Sequence, residues 1–188
     1  MVHGQSFYNL DVGKMNTTLD YLFRIKAPWI SVVLGEPERI KWIPSHFYSR
    51  PGFNVCVRRL RGKKMRTKTT LMDEFGASLQ FFEGFGENWH ALRECLEYLD
   101  EWIPADAYVL VIEGSEDLLR DEKQDQMEAF LRTLHDVGEW WAKPITDNDR
   151  FNRKGIPFHI LLNVGESEPL AIERIVRIAS KTGVPVRK

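Results

Sequence analysis

A mixed α/β fold built on a small parallel sheet is what this sequence predicts, on three observations. Three short runs, Val55-Cys56-Val57, Val109-Leu110-Val111-Ile112 and Ile160-Leu161-Leu162, are continuously apolar. Strands of a parallel sheet covered by helices read this way, whereas a half-exposed strand alternates. Between the runs lie stretches whose apolar residues recur at helical spacing. The resulting order (strand, two helices, strand, helix, strand) is that of an α/β domain with three parallel strands.

The chain begins with a segment that adds to this frame. Trp29-Ile30-Ser31-Val32-Val33-Leu34 predicts a strand, Gly35-Glu36-Pro37-Glu38 a turn, and Ile40-Lys41-Trp42-Ile43 a hairpin partner. After the first central strand, Thr70 and Asp73 make a capping-box-like helix start, followed by Leu71, Phe75 and Leu79 at i, i+4 and i+8. A second helix opens at Asn88, whose side chain can accept a first-turn N–H, and stops before Pro104. Its Leu92, Cys95, Leu96 and Leu99 face a core, while His90, Glu94, Glu97 and Glu101 line another side. Beyond the second strand, Met127, Phe130, Leu131, Leu134, Val137 and Trp141 mark a third helix, in which Trp140-Trp141 reads as one core residue and one partly exposed neighbour.

The stretch 143–157 is polar, holds two prolines and reads as an exposed loop before the third strand. Pro169, Gly183 and the apolar Leu170, Ile172, Ile175, Val176 and Ile178 predict a terminal helix over 169–182. The expected division is an N-terminal extension with a short β-hairpin over 1–50, the α/β domain over 51–165, and a C-terminal helix and tail over 166–188.

Composition narrows the function classes. A chain of 188 residues with 43% hydrophobic content, six Trp and eleven Phe can bury a substantial core. No apolar run approaches the roughly 18 residues needed to span a bilayer, and the N-terminal residues lack the basic start and apolar block of a signal peptide. Cys56 and Cys95 fall in apolar patterns without a CxxC, which favours reduced, buried thiols and a cytoplasmic setting, although spacing alone leaves a disulfide between them open. The net charge of −1 conceals a segregation: residues 1–70 hold thirteen Lys/Arg against four Asp/Glu, and residues 83–128 hold three against fourteen. The acidic segment suits a basic partner.

Chemistry-bearing motifs are sparse. Gly84-Phe85-Gly86 is too short for a dinucleotide fingerprint, there is no P-loop, and the five histidines are scattered. No Ser or Cys sits in a nucleophile-elbow context. His90 and Glu94, at i and i+4, are two groups on one helical turn and lack a third metal ligand. Neither a catalytic residue, a metal nor a cofactor is expected. The basic run from Arg58 to Lys68 admits a phosphate-binding reading, but it lacks the interleaved aromatics that single-strand stacking needs.

The richest stretch is Gly84-Phe85-Gly86-Glu87-Asn88-Trp89-His90-Ala91-Leu92-Arg93-Glu94-Cys95-Leu96. This turn and helix resemble the signature of the barstar family, intracellular inhibitors of a secreted bacterial ribonuclease. The order of elements over about 53–164 resembles the family's fold. DEFGASLQF before the motif and EWIPADAYVLVI after it resemble a longer bacterial subgroup. The resemblance implies that loop and helix plug a nuclease active site, with Glu94 matching the acid that enters it and Asp136 matching a second acidic contact.

Glu83, Phe85 and Glu87 in the loop, with His90, Arg93, Glu94 and Glu97 on the helix, form the expected binding surface. Gly84, His90 and Arg93 depart from the namesake inhibitor, which has an aromatic, an acid and a Trp there, so the expected partner differs from the namesake's. The expectation is a cytoplasmic, non-enzymatic immunity protein, monomeric when free, that binds a cognate basic ribonuclease or nuclease toxin one-to-one and binds neither nucleic acid nor membrane. Alternatives from other classes are an RNA-binding regulatory module using residues 58–68, immunity to a toxin that is not a ribonuclease, and a small enzyme reusing His90 and Glu94.

Overall fold

The computed structural model describes residues 20–35, 52–146 and 152–188. In chain order the elements are β1 (Ile30–Leu34), β2 (Val55–Arg61), α1 (Lys68–Leu79), α2 (Trp89–Glu97), β3 (Ala107–Glu113), α3 (Gln124–Ala142), β4 (Phe158–Val164), α4 (Pro169–Thr182) and β5 (Val186–Arg187). The strands form one five-stranded sheet in the order β2-β3-β4-β1-β5, and every neighbouring pair is parallel.

The three expected central strands are therefore present and contiguous; the strand expected at 29–34 joins the same sheet as β1, and β5 is added to it. β1 pairs with β4 from Ile30↔Ile160 to Leu34↔Val164, and β5 lines its other edge through Val186 and Arg187. A two-residue strand carries no periodicity, which is why β5 does not show in the sequence pattern. The expected hairpin partner over 40–43 lies outside the described residues, as do 36–38 of the expected turn. β1 takes its described partners from the far end of the chain.

Local signals set the helix ends. Asn88 caps α2, its Oδ1 accepting from the His90 and Ala91 amides at 3.0 Å each. At α1 the cap is Thr67 and not Thr70. Thr67 has extended backbone, its Oγ1 accepts from the Thr70 amide, and Thr70 returns the bond as the third helical residue. Only a cap lying outside the helix can reach back to those first-turn amides, so the helix begins three residues earlier than the Thr70/Asp73 reading places it. α4 has Pro169 in its first turn and Gly183 in the left-handed conformation (φ 72) as its stop. Ile175 and Ile178 are buried, but Leu170 is 73% exposed.

The two sheet faces are covered differently. Ile30, Cys56, Leu60, Tyr108, Leu110, Phe158, Ile160 and Leu162 pack with the buried faces of the helices. Val55, Val57, Ala107, Val109, Val111 and Leu161 pack instead around Leu22, with Tyr21, Phe23 and Phe53 at the margin. Thus, among the described residues, one face is covered by helices and the other by the turn over Asp20–Phe23. Continuous apolarity reported burial on both faces without saying what buries them.

Trp29 ties this N-terminal segment to the helical layer. Its Nε1 donates to Glu139 Oε1 at 2.7 Å, and its ring lies against α3 where Gly138 has no side chain; a Cβ there would overlap the indole. On the other side the indole meets His159, ring centroids 5.5 Å apart. His159 is fully buried. Its Nε2 lies 2.9 Å from the Arg24 carbonyl, so that nitrogen is the donor, and buried Nδ1 has no partner among the described residues. Burial pushes the imidazole below its usual range against the pull of the Arg24 carbonyl, with Arg187 adding to the depression.

Two predictions follow for stability. Gly138→Ala should destabilise, since overpacking costs about 1–3 kcal/mol and exceeds the roughly 1 kcal/mol that Ala returns in a helix. In a Trp29→Ala background the same change should become stabilising. Urea denaturation of the four proteins would show this change of sign. For His159 the folded pKa lies below the unfolded one, so its contribution is intact above about pH 6.5 and stability falls as pH drops below it. Denaturation curves from pH 7.5 to 5.5 should show a steeper loss for the parent than for His159→Gln.

Candidate functional site

α2 is held from behind and open in front. Leu92 and Leu96 are fully buried and Cys95 is 4% exposed. Trp141 Nε1 donates to the Leu96 carbonyl at 2.9 Å and Trp140 Nε1 to the Glu97 carbonyl at 3.1 Å, so α3 satisfies carbonyls that the end of α2 leaves unpaired. Trp141 is core and Trp140 half-buried, as their pairing in sequence suggested. The guanidinium of Arg153 closes the corner, lying 4.3 Å from the Trp141 ring centroid and donating to the carbonyls of Trp140, Trp141 and Lys143 at the end of α3. Cys95 is a packing residue: burial, helped by the Glu94 carboxylate, pushes its thiol up to about 11. Both cysteines are free thiols.

The front of α2 carries a shallow groove of about 290 Å³ lined by His90, Arg93, Glu94, Glu97 and Tyr98. Arg93 organises it. Its Nε donates to Glu97 Oε1 at 2.7 Å and its Nη1 to Asp136 Oδ2 at 3.2 Å across on α3. Arg93 and Asp136 are each nearly half-exposed, whereas the Glu97 side chain is only 12% exposed. Glu97 and Asp136 are therefore already spoken for in the free protein. Glu94 and His90 are exposed, and neither has an ion pair among the described residues. Glu101 leaves this line, because the chain tightens into a 3₁₀ turn over Leu99–Glu101 after α2 ends. Tyr98 takes the place of Glu101; its position four residues after Glu94 could have identified it.

The loop residues Glu83, Phe85 and Glu87 lie in a second recess of about 220 Å³, with Met72, Asp73 and Gly76 of α1 and with Phe81 and Phe82. Both recesses fall below the roughly 300–1,000 Å³ of typical small-molecule sites. The loop is internally braced: the Phe85 amide donates to the Phe82 carbonyl at 3.0 Å, Asn88 Nδ2 to the Gly86 carbonyl at 2.8 Å, and the Phe81 and Phe85 rings meet edge-on at 4.9 Å. Glu87 sits in the left-handed region, φ 45. The expected site residues thus divide between two separate recesses, His90, Arg93, Glu94 and Glu97 in one and Glu83, Phe85 and Glu87 in the other, while Asp136 lines neither and joins the first only through Arg93.

Three cations of the basic run, Arg59, Arg61 and Arg66, are engaged within the fold. The buried Glu74 carboxylate, 5% exposed, accepts from the Arg61 amide at 2.9 Å and from Arg61 Nη2 at 2.7 Å. Burial alone would raise its pKa, but these bonds outweigh it and hold the carboxyl below its usual value. Arg59 pairs with Glu113, and Arg66 binds Asp121 through Nε at 2.7 Å and Nη2 at 2.8 Å. These cations staple β2 and its following turn to α1, to β3 and to the loop after β3. Among the described residues no three His, Cys, Asp or Glu side chains group to hold a metal, and no helix is long and apolar enough to cross a membrane.

The family described as Barstar (barnase inhibitor) matches residues 55–163. No curated protein matches the chain. Among solved structures, Cdc6p from Pyrobaculum aerophilum is similar with a TM-score of 0.55 at 16% identity, over 100% of this chain and 46% of that one. This chain spans just under half the length of that protein, and a likeness at such identity speaks for the fold alone.

The two faces of α2 should separate on substitution. Leu96→Ala should cost roughly 2–5 kcal/mol of stability by leaving a core cavity, while Glu94→Ala should stay within about 0.5 kcal/mol of the parent, as an exposed unpaired residue does. Thermal and urea denaturation of both variants measures the difference.

Proposed function

This chain belongs to the barstar family, and we propose that it is a non-enzymatic inhibitor that binds a cognate basic ribonuclease or nuclease toxin and blocks its active site with α2 and the preceding loop. The observation that carries the reading is Glu94, a carboxylate exposed and without an ion pair among the described residues, on a helix whose opposite face is anchored in the core. A nuclease active site concentrates cations to bind phosphate. A carboxylate held in place can occupy the phosphate position and accept paired hydrogen bonds from an arginine there.

The surrounding charge favours encounter. Residues 83–128 hold fourteen acidic against three basic side chains, a field that would draw in a cationic partner and repel nucleic acid. The RNA-binding alternative has less support, because Arg59, Arg61 and Arg66 are engaged by Glu113, Glu74 and Asp121. Arg93 gives the surface its own character. By pairing with Glu97 and Asp136 it places a cation beside Glu94. A partner must meet that cation with an acceptor, which favours a target different from the namesake's, whether ribonuclease or another basic toxin.

The reading is tested with a nuclease captured on the purified chain from the source cell. Its association rate, followed by stopped flow, should fall steeply between low and high salt as the opposed fields are screened. Glu94→Ala should weaken inhibition by about 2–5 kcal/mol, the usual cost of truncating one member of a buried interfacial charge pair. Undiminished inhibition by Glu94→Ala would remove α2 as the plug.

A further inference from the structure

His159 has no part in the α2 surface, and it sits where the start of the described chain is fastened to the sheet. It is fully buried on β4. The segment before β1 supplies the Tyr21 ring, edge-on at 5.6 Å, the Arg24 carbonyl on Nε2 at 2.9 Å and the tilted Trp29 ring at 5.5 Å. β3 lies alongside with apolar Val109. The charged groups on these elements do nothing to favour an imidazolium. Arg187 on β5 stacks over the Tyr21 ring at 4.2 Å and opposes a second positive charge. Arg24 and Lys26 are further cations on the exposed side of the segment. Glu139 on α3 is engaged by Trp29 Nε1 at 2.7 Å. A proton arriving at Nδ1 would make that nitrogen a donor, and it has no acceptor among the described residues.

We propose that His159 is the pin of a pH-sensitive latch, whose protonation in mildly acidic solution releases residues 21–26 from the sheet while the sheet itself stays folded. The segment is the part that yields because its ties are few. The Tyr21 hydroxyl donates to Ser31 Oγ at 2.9 Å, the Arg24 carbonyl meets His159, and Leu22 inserts into the apolar cluster. Its backbone bonds from Arg24 to Tyr21 and from Lys26 to Arg24 are local, and Arg24, Ile25 and Lys26 are exposed. β4 has a strand on each edge and is buried throughout. A lightly tied surface segment opens at lower free energy than a core strand. Trp29 stays behind, since its carbonyl accepts from the Ile160 amide at 2.8 Å and its indole is held by Glu139. Once Tyr21 and Arg24 lift away, water reaches the imidazole, which then carries its charge hydrated. The open form therefore binds the proton more readily than the closed one, and falling pH draws the equilibrium toward it. Leu22 leaves Val55, Val57, Val109 and Val111, baring apolar surface that the closed form hides.

The test is hydrogen exchange of the full chain at pH 7.5, 6.5 and 5.5, corrected for the chemical exchange rate and read on residues 21–26 and on β3. Opening of the segment should rise several-fold from pH 7.5 to 5.5. About tenfold is the ceiling that one proton bound near pH 6.5 in the open form can supply over that interval. The β3 amides should show no comparable rise. His159→Gln keeps a donor for the Arg24 carbonyl and stays neutral, so its segment should open to the same extent at all three pH values. A second variant, Arg187→Gln, removes the opposing cation, and its ratio of opening between pH 5.5 and 7.5 should be smaller than the parent's. That comparison decides the matter even if His159→Gln does not fold. No rise in the parent, an equal rise on β3, the same rise in His159→Gln, or an unchanged ratio in Arg187→Gln would each overturn the latch.

Discussion

The pairing of β1 with β4 is the constraint on which the rest of the molecule hangs. β4 is buried along its whole length, Phe158 to Val164, with β3 on one edge and β1 on the other. Without β1, that edge would present a row of unpaired amides and carbonyls beside an apolar surface, an arrangement proteins avoid. The segment matching the family, residues 55–163, supplies three strands. The fourth and fifth come from its two flanks and meet there, β5 pairing with β1. The flanks are thus built into the sheet.

The same segment turns the second sheet face into a core. A parallel sheet carries apolar side chains on both sides, and the described helices serve one side only. Leu22 seals the other, with Tyr21 bonded to Ser31 at 2.9 Å and capped by the Arg187 guanidinium 4.2 Å from its ring centroid. Trp29 then reaches around to α3. In this way the start of the chain, the end of the chain and the helix that supports α2 are mechanically joined, and the site helix inherits its position from contacts far from the site.

Charge is handled by one rule with two outcomes. On the β2 side, cations meet carboxylates inside the molecule, and the buried Glu74 shows how much the fold relies on it: a carboxylate at 5% exposure is tolerable only because Arg61 supplies both backbone and side-chain donors. On the α2 side the internal pairing stops at Arg93. Glu94 and the loop acids beyond it are left for solvent or for a partner. Segregation along the sequence becomes complementarity within the fold on one side and an unsatisfied acidic surface on the other.

What the sequence determined by itself is what depends on neighbours within a few residues. Asn88 could be recognised as a cap because its side chain and the amides it binds lie two and three residues apart. The third helix and its buried Trp141 followed from spacing alone, and the three central strands from runs of apolar residues. Assigning the α1 cap needed the backbone conformation of Thr67, which propensity does not supply. Only the tertiary structure decided that β1 joins β4, each residue pairing with one 130 positions further along the chain, that Gly138 exists to admit Trp29, and that Arg93 turns toward Asp136. The candidate site divides in the same way. Its acids were legible as residue types on a helix and a loop, but whether each carboxylate is engaged depends on which cation another element brings within about 4 Å, and no local pattern encodes that distance.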